Sequence, residues 1–275
     1  MKLTKKQLKK ETQEILALLH SDKKLTGEEI DKIYEDLNPG GFGDVSANAA
    51  FFTPYYLAQD VAVMCQARGH VLDLCAGIGM LSYRTHQMDS YEHRIKSIAC
   101  IELNPMPVEI GKKLLPQANW ICGSVFDKTL IENVLKEKGI DRFDSIESNP
   151  PFGKVLAKEK VDWLNYNNNR DLMVLEVVLR YGEDAYFILP SGSVPFRYSG
   201  ERYRQHTEPR DLKSFVKLNK EFQFDMVCDG IDCAIFKDEW KNLNGISVEA
   251  VNIQIHPYYL CDANNSLYNR WYKEG

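Results

Sequence analysis

The sequence predicts an α/β fold built on a doubly wound, mostly parallel sheet. Short apolar runs alternate along the chain with stretches of helical periodicity, the pattern of strands buried on both faces and joined by crossover helices. A glycine-bearing turn, Cys75-Ala76-Gly77-Ile78-Gly79, follows the first such run. Polar residues then end successive runs, at the edge where open α/β sheets receive ligands.

Residues 5–20, with Leu8, Ile15, Leu16, Leu18 and Leu19 among lysines and glutamates, predict an amphipathic helix. Residues 26–36, opened by Thr26-Gly27-Glu28-Glu29, predict a second. Asn38-Pro39-Gly40-Gly41-Phe42-Gly43 reads as a linker, so residues 1–43 form an N-terminal helical extension and residues 44–256 the main domain. Strands are expected at 71–75, 97–102, 119–125, 143–148 and 185–189. Further strands are expected at 224–228 and 233–237, on either side of an Asp229-Gly230 turn, and at 248–256, so that the last strands run antiparallel. Residues 257–275 are left as a tail.

The composition is that of a globular protein with one core: 275 residues, 44% hydrophobic and 27% charged. No apolar stretch approaches the ~18 residues that cross a bilayer. The lysine-rich start lacks the apolar core of a signal peptide, so a cytoplasmic protein without membrane partners is expected. Seven cysteines occur without a Cys-x-x-Cys pair, which predicts reduced thiols and no metal site, Cys228 and Cys233 being the nearest approach to a ligand pair. The formal charge of −5 makes the body mildly acidic. Against it stands a basic, aromatic stretch over 191–222, whose Arg197, Tyr198, Arg202 and Arg204 are candidates for polynucleotide contact.

The chemistry is written most sharply in Asn149-Pro150-Pro151-Phe152, which closes the run at 143–148. An exocyclic amine on an aromatic ring is a poor nucleophile because its lone pair is delocalised. A catalyst must accept both amine hydrogens and hold the lone pair toward an electrophile. The Asn149 side-chain oxygen and the Pro150 carbonyl are acceptors without being strong bases, and the paired prolines restrict the turn that aims them. Phe152 offers a face on which an unstacked base can lie.

Gly77 and Gly79 allow a ligand to approach the backbone closely. The third glycine of the dinucleotide fingerprint is missing, since Ser82 occupies its place, which argues against NAD or FAD. Glu102 ends the second main-domain strand, where its carboxylate can take the hydroxyls of a ribose. Phe126 and Asp127 follow the third, where an adenine ring can lie against Phe126 while Asp127 accepts from its amine.

Asp73-Leu74-Cys75-Ala76-Gly77-Ile78-Gly79, Glu102, Val125-Phe126-Asp127 and Asn149-Pro150-Pro151-Phe152, in that order, resemble the class I S-adenosylmethionine-dependent methyltransferases, and among them the amino-methylating branch. Phe52-Thr53-Pro54 resembles the segment that closes over the methionine part of the donor in DNA adenine-N6 methyltransferases. The resemblance spans roughly residues 50–190 and implies a Rossmann-like, seven-stranded sheet with an antiparallel last strand. It implies S-adenosyl-L-methionine as cofactor. Thr53 and Pro54 would hold its methionine part, Asp73, Ala76, Gly77 and Gly79 its amino-acid end and centre, Glu102 its ribose, and Phe126 with Asp127 its adenine; Asn149 would lie against it. Asn149, Pro150, Pro151 and Phe152 would form the catalytic turn, with no metal. The implied substrate is the N6 amine of adenine in DNA, with adenine N6 or guanine N2 in ribosomal RNA the alternative and a protein glutamine amide the third. The segment after 185–189 is short for a dedicated target-recognition domain, so loose sequence specificity is expected.

Overall fold

The computed structural model describes residues 13, 15–19, 21, 23–37, 52–90, 93–155, 159–240 and 245–256. The linker at 38–43, the tail at 257–275 and most of the helix expected at 5–20 lie outside the described residues, although 15–19 are helical.

Helix α1 (Gly27–Asp36) begins where Thr26 predicts it: Thr26 Oγ1 accepts from the Glu29 backbone N–H at 3.3 Å, and Glu29 accepts from the Thr26 N–H at 2.9 Å. This reciprocal box satisfies two amide donors that a helix start leaves open. Then follow α2 (Tyr55–Cys65), β1 (Gly69–Leu74), α3 (Met80–Asp89), β2 (Ile95–Glu102), α4 (Pro105–Leu114), β3 (Asn119–Cys122), α5 (Lys128–Lys138), β4 (Ser145–Ser148), α6 (Arg170–Tyr181) and β5 (Asp184–Pro190). A small hairpin of β6 (Phe196–Arg197) and β7 (Gln205–His206) leads into α7 (Arg210–Leu218), β8 (Gln223–Val227) and β9 (Val248–His256).

The seven-stranded sheet has the order β3-β2-β1-β4-β5-β9-β8. Strands β1 to β5 are parallel, and β9 inserts antiparallel between β5 and β8. The strand order reverses between β1 and β4, so the rim beyond their carboxyl ends is the topological switch point. Alternate residues of β1 face opposite ways. Val71 joins a core with α1, α2 and α3, while Leu72 and Leu74 join the core under α5, α6 and α7.

Two expectations change. Residues 233–237 are not a strand: Cys233–Phe236 is a 3-10 turn capped by Asp232, whose Oδ1 accepts from Ala234 N–H at 2.9 Å. Cys233 and Phe236 are buried while Ile235 is 68% exposed, a helical spacing of apolar contacts rather than an alternating one. The partner of β8 is therefore β9. The third strand also stops at Cys122, because the Gly123 amide turns to the Glu102 carbonyl at 2.9 Å.

Helix α1 is docked by its polar residues as much as by Ile33. Asp31 accepts from Tyr55 OH at 2.7 Å, Tyr83 OH at 2.8 Å and Gln87 Nε2 at 3.1 Å. Burial raises the Asp31 carboxyl, but these donors outweigh it and hold it below the ordinary carboxylate range. On the far side of the glycine turn, Trp120 of β3 packs against Gly111 of α4: a Cβ at Gly111 would fall 2.1 Å from its ring. Gly111→Ala would gain up to about 1 kcal/mol of helix propensity. The rigid indole has no room to yield, so a net loss of about 1–3 kcal/mol is expected, read as a lower urea midpoint. An unchanged midpoint would mean that Trp120 repacks freely.

Candidate active site

Beyond β1 the chain enters a tight turn. Cys75 and Gly77 take φ of 61° and 57°, and Gly79 takes 83° at the N-cap of α3. Gly79 has a further reason to lack a side chain, since a Cβ there would lie 2.8 Å from Trp120. One carboxylate organises the turn. Glu102, 8% exposed at the end of β2, accepts from Gly77 N–H through Oε2 at 2.9 Å and from Asn104 N–H through Oε1 at 2.8 Å. Each oxygen keeps a second lone pair for a ligand hydroxyl. From below, the buried Tyr34 of α1 donates to the Ile78 carbonyl at 3.1 Å and stacks on Tyr83 with ring centroids 4.5 Å apart.

Across a cavity from this turn stand Phe52, Thr53 and Asn149, with Asp73 and Gly77 among the facing residues. Pro54 caps α2 and Thr53 is buried. The Asn149 carboxamide is oriented by Thr53: Nδ2 donates to Thr53 Oγ1 at 3.0 Å, so the amide oxygen lies on the other side of the group. Ser148 Oγ donates to the Leu74 carbonyl at 2.6 Å and ties the end of β4 to the end of β1. Pro150 is buried, while Pro151 and Phe152 are half-buried, Phe152 against the core shared with Tyr186 and Ile188. The turn is held downstream too, since Gly153 accepts from Arg170 N–H at 3.0 Å.

Thr53, Asp73, Ala76, Gly77 and Asn149 thus come together around one cavity. Gly79 and Glu102 border it through the turn they shape. Phe126 and Asp127 lie on the same rim but outside that lining. Phe126 packs into the opposite core, its carbonyl accepting from Trp163 Nε1 at 2.9 Å. Asp127 is an exposed N-cap of α5, its Oδ1 accepting from Thr129 N–H at 3.1 Å and from Thr129 Oγ1 at 2.6 Å.

The basic stretch reaches the same rim by a fastening absent from the sequence reading. Glu249, 1% exposed and opposite Leu189 in the register, accepts from Tyr198 N–H at 3.2 Å, Ser199 N–H at 3.0 Å and Ser199 Oγ at 2.7 Å. Arg197, Arg202 and Arg204 are exposed around this anchored point, and Arg202 sits over the Tyr203 ring at 5.3 Å. A second cleft opens between the β6–β7 hairpin, α7 and β8, with Phe196, Leu212 and Phe224 in its wall and Arg204 and Lys213 at its margin.

Two buried acids sit beneath the cavity beside the glycine turn. Asp73 and Glu147 are directly opposite in the β1–β4 register and each is 1% exposed. Burial drives both carboxyls upward, Glu147 to about 7 and Asp73 well above the carboxylate range, with the charge of Glu147 adding to the rise at Asp73. Asp73 was legible from its place before the glycine turn; Glu147 was missed, and its only signal was an acid inside an apolar run.

The Tyr34 hydroxyl ties α1 to the glycine turn, reaching the Ile78 carbonyl and, at 3.4 Å, that of Gly79. Tyr34→Phe keeps the stacking and removes that bond. A loss of about 1 kcal/mol in stability is expected together with a several-fold weaker grip on a ligand at the turn, measured by thermal unfolding and equilibrium binding. Full retention of both would assign α1 a packing role alone.

Residues 56–164 match the family model of the methyltransferase small domain. No curated protein sequence matches the chain. Among solved structures, a Listeria monocytogenes protein named as a class I S-adenosylmethionine-dependent methyltransferase aligns over 95% of this chain and 72% of its own, at 12% identity and a TM-score of 0.49. A protein from Pyrococcus horikoshii named as an RNA methyltransferase aligns over 93% and 100%, at 17% identity and a TM-score of 0.41. The methyltransferase subunit of a type I restriction-modification system from Streptococcus thermophilus aligns over 85% and 51%, at 14% identity and a TM-score of 0.47. No helix among the described residues is long and apolar enough to cross a membrane. The matched residues run from α2 to beyond the Asn149-Pro150-Pro151-Phe152 turn, and so include the glycine turn and the switch point of the sheet.

Proposed function

We propose that this protein is a class I S-adenosylmethionine-dependent methyltransferase that modifies the N6 amine of adenine in a polynucleotide, with DNA the favoured acceptor. The observation that carries the reading is the Asn149-Pro150-Pro151-Phe152 turn at the mouth of the glycine cavity, with the Asn149 carboxamide oriented by Thr53.

The residues fit the donor. Asp73 Oδ1 is buried and meets no hydrogen-bond donor among the described residues, which suits the amino group of a methionine moiety. The left-handed Gly77 presents backbone without a side chain, and even a Cβ there would only reach ordinary contact with Phe52 at 3.6 Å. In this reading Thr53 and Pro54 close over the methionine part, Asp73, Ala76, Gly77 and Gly79 hold its amino-acid end and centre, and Glu102 takes the ribose hydroxyls. Phe126 supplies an apolar face for the adenine, with Asp127 beside it. The bound donor supplies a sulfonium methyl as electrophile.

On the acceptor side, Asn149 Oδ1 and the Pro150 carbonyl accept the two N–H bonds of the amine, which turns its lone pair out of the ring. Pro151 fixes the turn, and Phe152 stacks on the base. Because the amine loses a proton after it has been alkylated, a strong base at the site is unnecessary. A base inside a duplex must be swung out to reach this depth, which a grip on the flanking phosphates supports. In this reading Arg197, Arg202 and Arg204 with Tyr198, in the loop that Glu249 fastens, supply that grip.

The test is incubation with labelled donor and parallel pools of double-stranded DNA, single-stranded DNA, ribosomal RNA and protein extract, followed by digestion and mass spectrometry. N6-methyldeoxyadenosine is expected, and Asn149→Ala is expected to lower its formation at least a hundredfold while donor affinity changes less than threefold, a split that marks loss of a contact made in the transition state. A methylated ribonucleoside or glutamine would move the acceptor elsewhere, and full activity in Asn149→Ala would remove Asn149 from catalysis.

A further inference from the structure

Asp73 and Glu147 lie side by side on one face of the sheet, with Ser82 of α3 between them. Ser82 Oγ is 2.8 Å from Asp73 Oδ2 and 2.9 Å from Glu147 Oε1. A hydroxyl carries one hydrogen and can donate to only one of two carboxylates. The second contact is a hydrogen bond only if that carboxyl itself carries a proton and donates to the serine. The remaining positions agree: Thr85 Oγ1 donates to Glu147 Oε2 at 2.7 Å, and Cys100 Sγ approaches Ser82 Oγ at 3.5 Å. The geometry is complete with one proton shared across the pair and is broken with none.

The other titratable groups acting on the pair are Glu102 and Cys100 of β2, Cys75 after β1, Cys65 of α2 and Tyr34 of α1. None is a cation. Two carboxylates facing each other across neighbouring strands repel, and no positive side chain in that set offsets the repulsion. Asp73 alone of the two lines the donor cavity, and its Oδ1 is the atom without a partner there.

We propose that Glu147 acts through Ser82 as a positioning residue that sets the charge of Asp73, and that the pair stores one proton which passes to solvent when the cationic donor binds. A cation within about 4–6 Å favours ionised carboxylates, which supplies the driving force. Donor affinity then rises with pH while the free pair is still titrating, by up to about tenfold per pH unit, because each bound donor displaces up to one proton.

Calorimetry of S-adenosylmethionine binding to the full chain, at neutral pH in phosphate and in Tris, reads that proton directly. The two observed heats are expected to differ in proportion to the buffers' ionisation heats, with about half to one proton released per donor. Glu147→Gln keeps donors and acceptors toward Ser82 and Thr85 but cannot release a proton. Its heats are expected to lose that buffer dependence, and its affinity to change less than twofold between about pH 6 and 8. The donor's own amino group is common to both proteins, so the difference isolates Glu147. Equal heats in the two buffers for the wild-type protein, or equal proton release by Glu147→Gln, would overturn the proposal. Should that variant not fold, difference infrared spectra of the wild-type protein decide: the protonated-carboxyl band is expected to vanish on adding donor, and its persistence would refute the store. The proposal rests on the donor lying beside Asp73. Asp73→Asn is expected to weaken binding at least tenfold, and unchanged binding would overturn that placement, whereas binding without proton release would overturn the store alone.

Discussion

The Glu102 carboxylate is the joint on which the site depends. Its two oxygens accept from Gly77 N–H and Asn104 N–H, so the loops that leave β1 and β2 share one buried side chain. Without it, two amide donors at the rim of the sheet would lose their acceptor, at about 1–3 kcal/mol for each left buried and unsatisfied. The turn it fixes is also the turn that Tyr34 supports from α1 and that Trp120 confines at Gly79. Strand order puts this joint at the switch point, and the Ser148 bond to the Leu74 carbonyl brings the Asn149-Pro150-Pro151-Phe152 turn to the same place. Asn149 and the glycine turn thus sit at the ends of adjacent strands, held in register by the sheet itself.

The two faces of the sheet divide the work. Under α5, α6 and α7 the core includes fully buried Leu72, Ile146 and Phe187, with Asp171 and Glu176 of α6 buried at its margin and satisfied by Ser193 Oγ and by the Asn165 and Tyr166 amides. Under α1, α2 and α3 it carries Asp73, Glu147, Ser82 and Thr85 among the apolar residues. Buried polar groups are costly unless satisfied, and beneath the cavity Ser82 and Thr85 supply the hydroxyls that meet Asp73 and Glu147. Glu249 applies the same device further along the rim, where a buried carboxylate accepts two backbone amides and fastens the loop that carries the exposed arginines.

Much of this was legible in the sequence, and the failures have physical causes. The parallel strands are apolar on both faces, so their runs stood out, and Thr26 with Glu29 announced α1 by its cap. The run at 233–237 is apolar as well, but its buried positions, Cys233 and Phe236, are spaced as in a helix, and a run that short fits either period. Asp127 satisfied the expected order of acids along the rim, yet Asp127-Lys128-Thr129 before a helical stretch is also a capping signal, and that is how its carboxylate is engaged. Tyr34, Glu147 and Glu249 escaped notice because their meaning lies in partners far along the chain: Ile78, Ser82 and Ser199.

The central claim is that the methyl donor lies between Phe52-Thr53 and the glycine turn, against Asn149. Irradiation of the protein with methyl-labelled S-adenosylmethionine, followed by proteolysis and peptide mapping, tests it most directly. The account predicts label in peptides that contain residues 52–54, 73–79 or 149–152. Label confined to the second cleft, among residues 195–226, would contradict it.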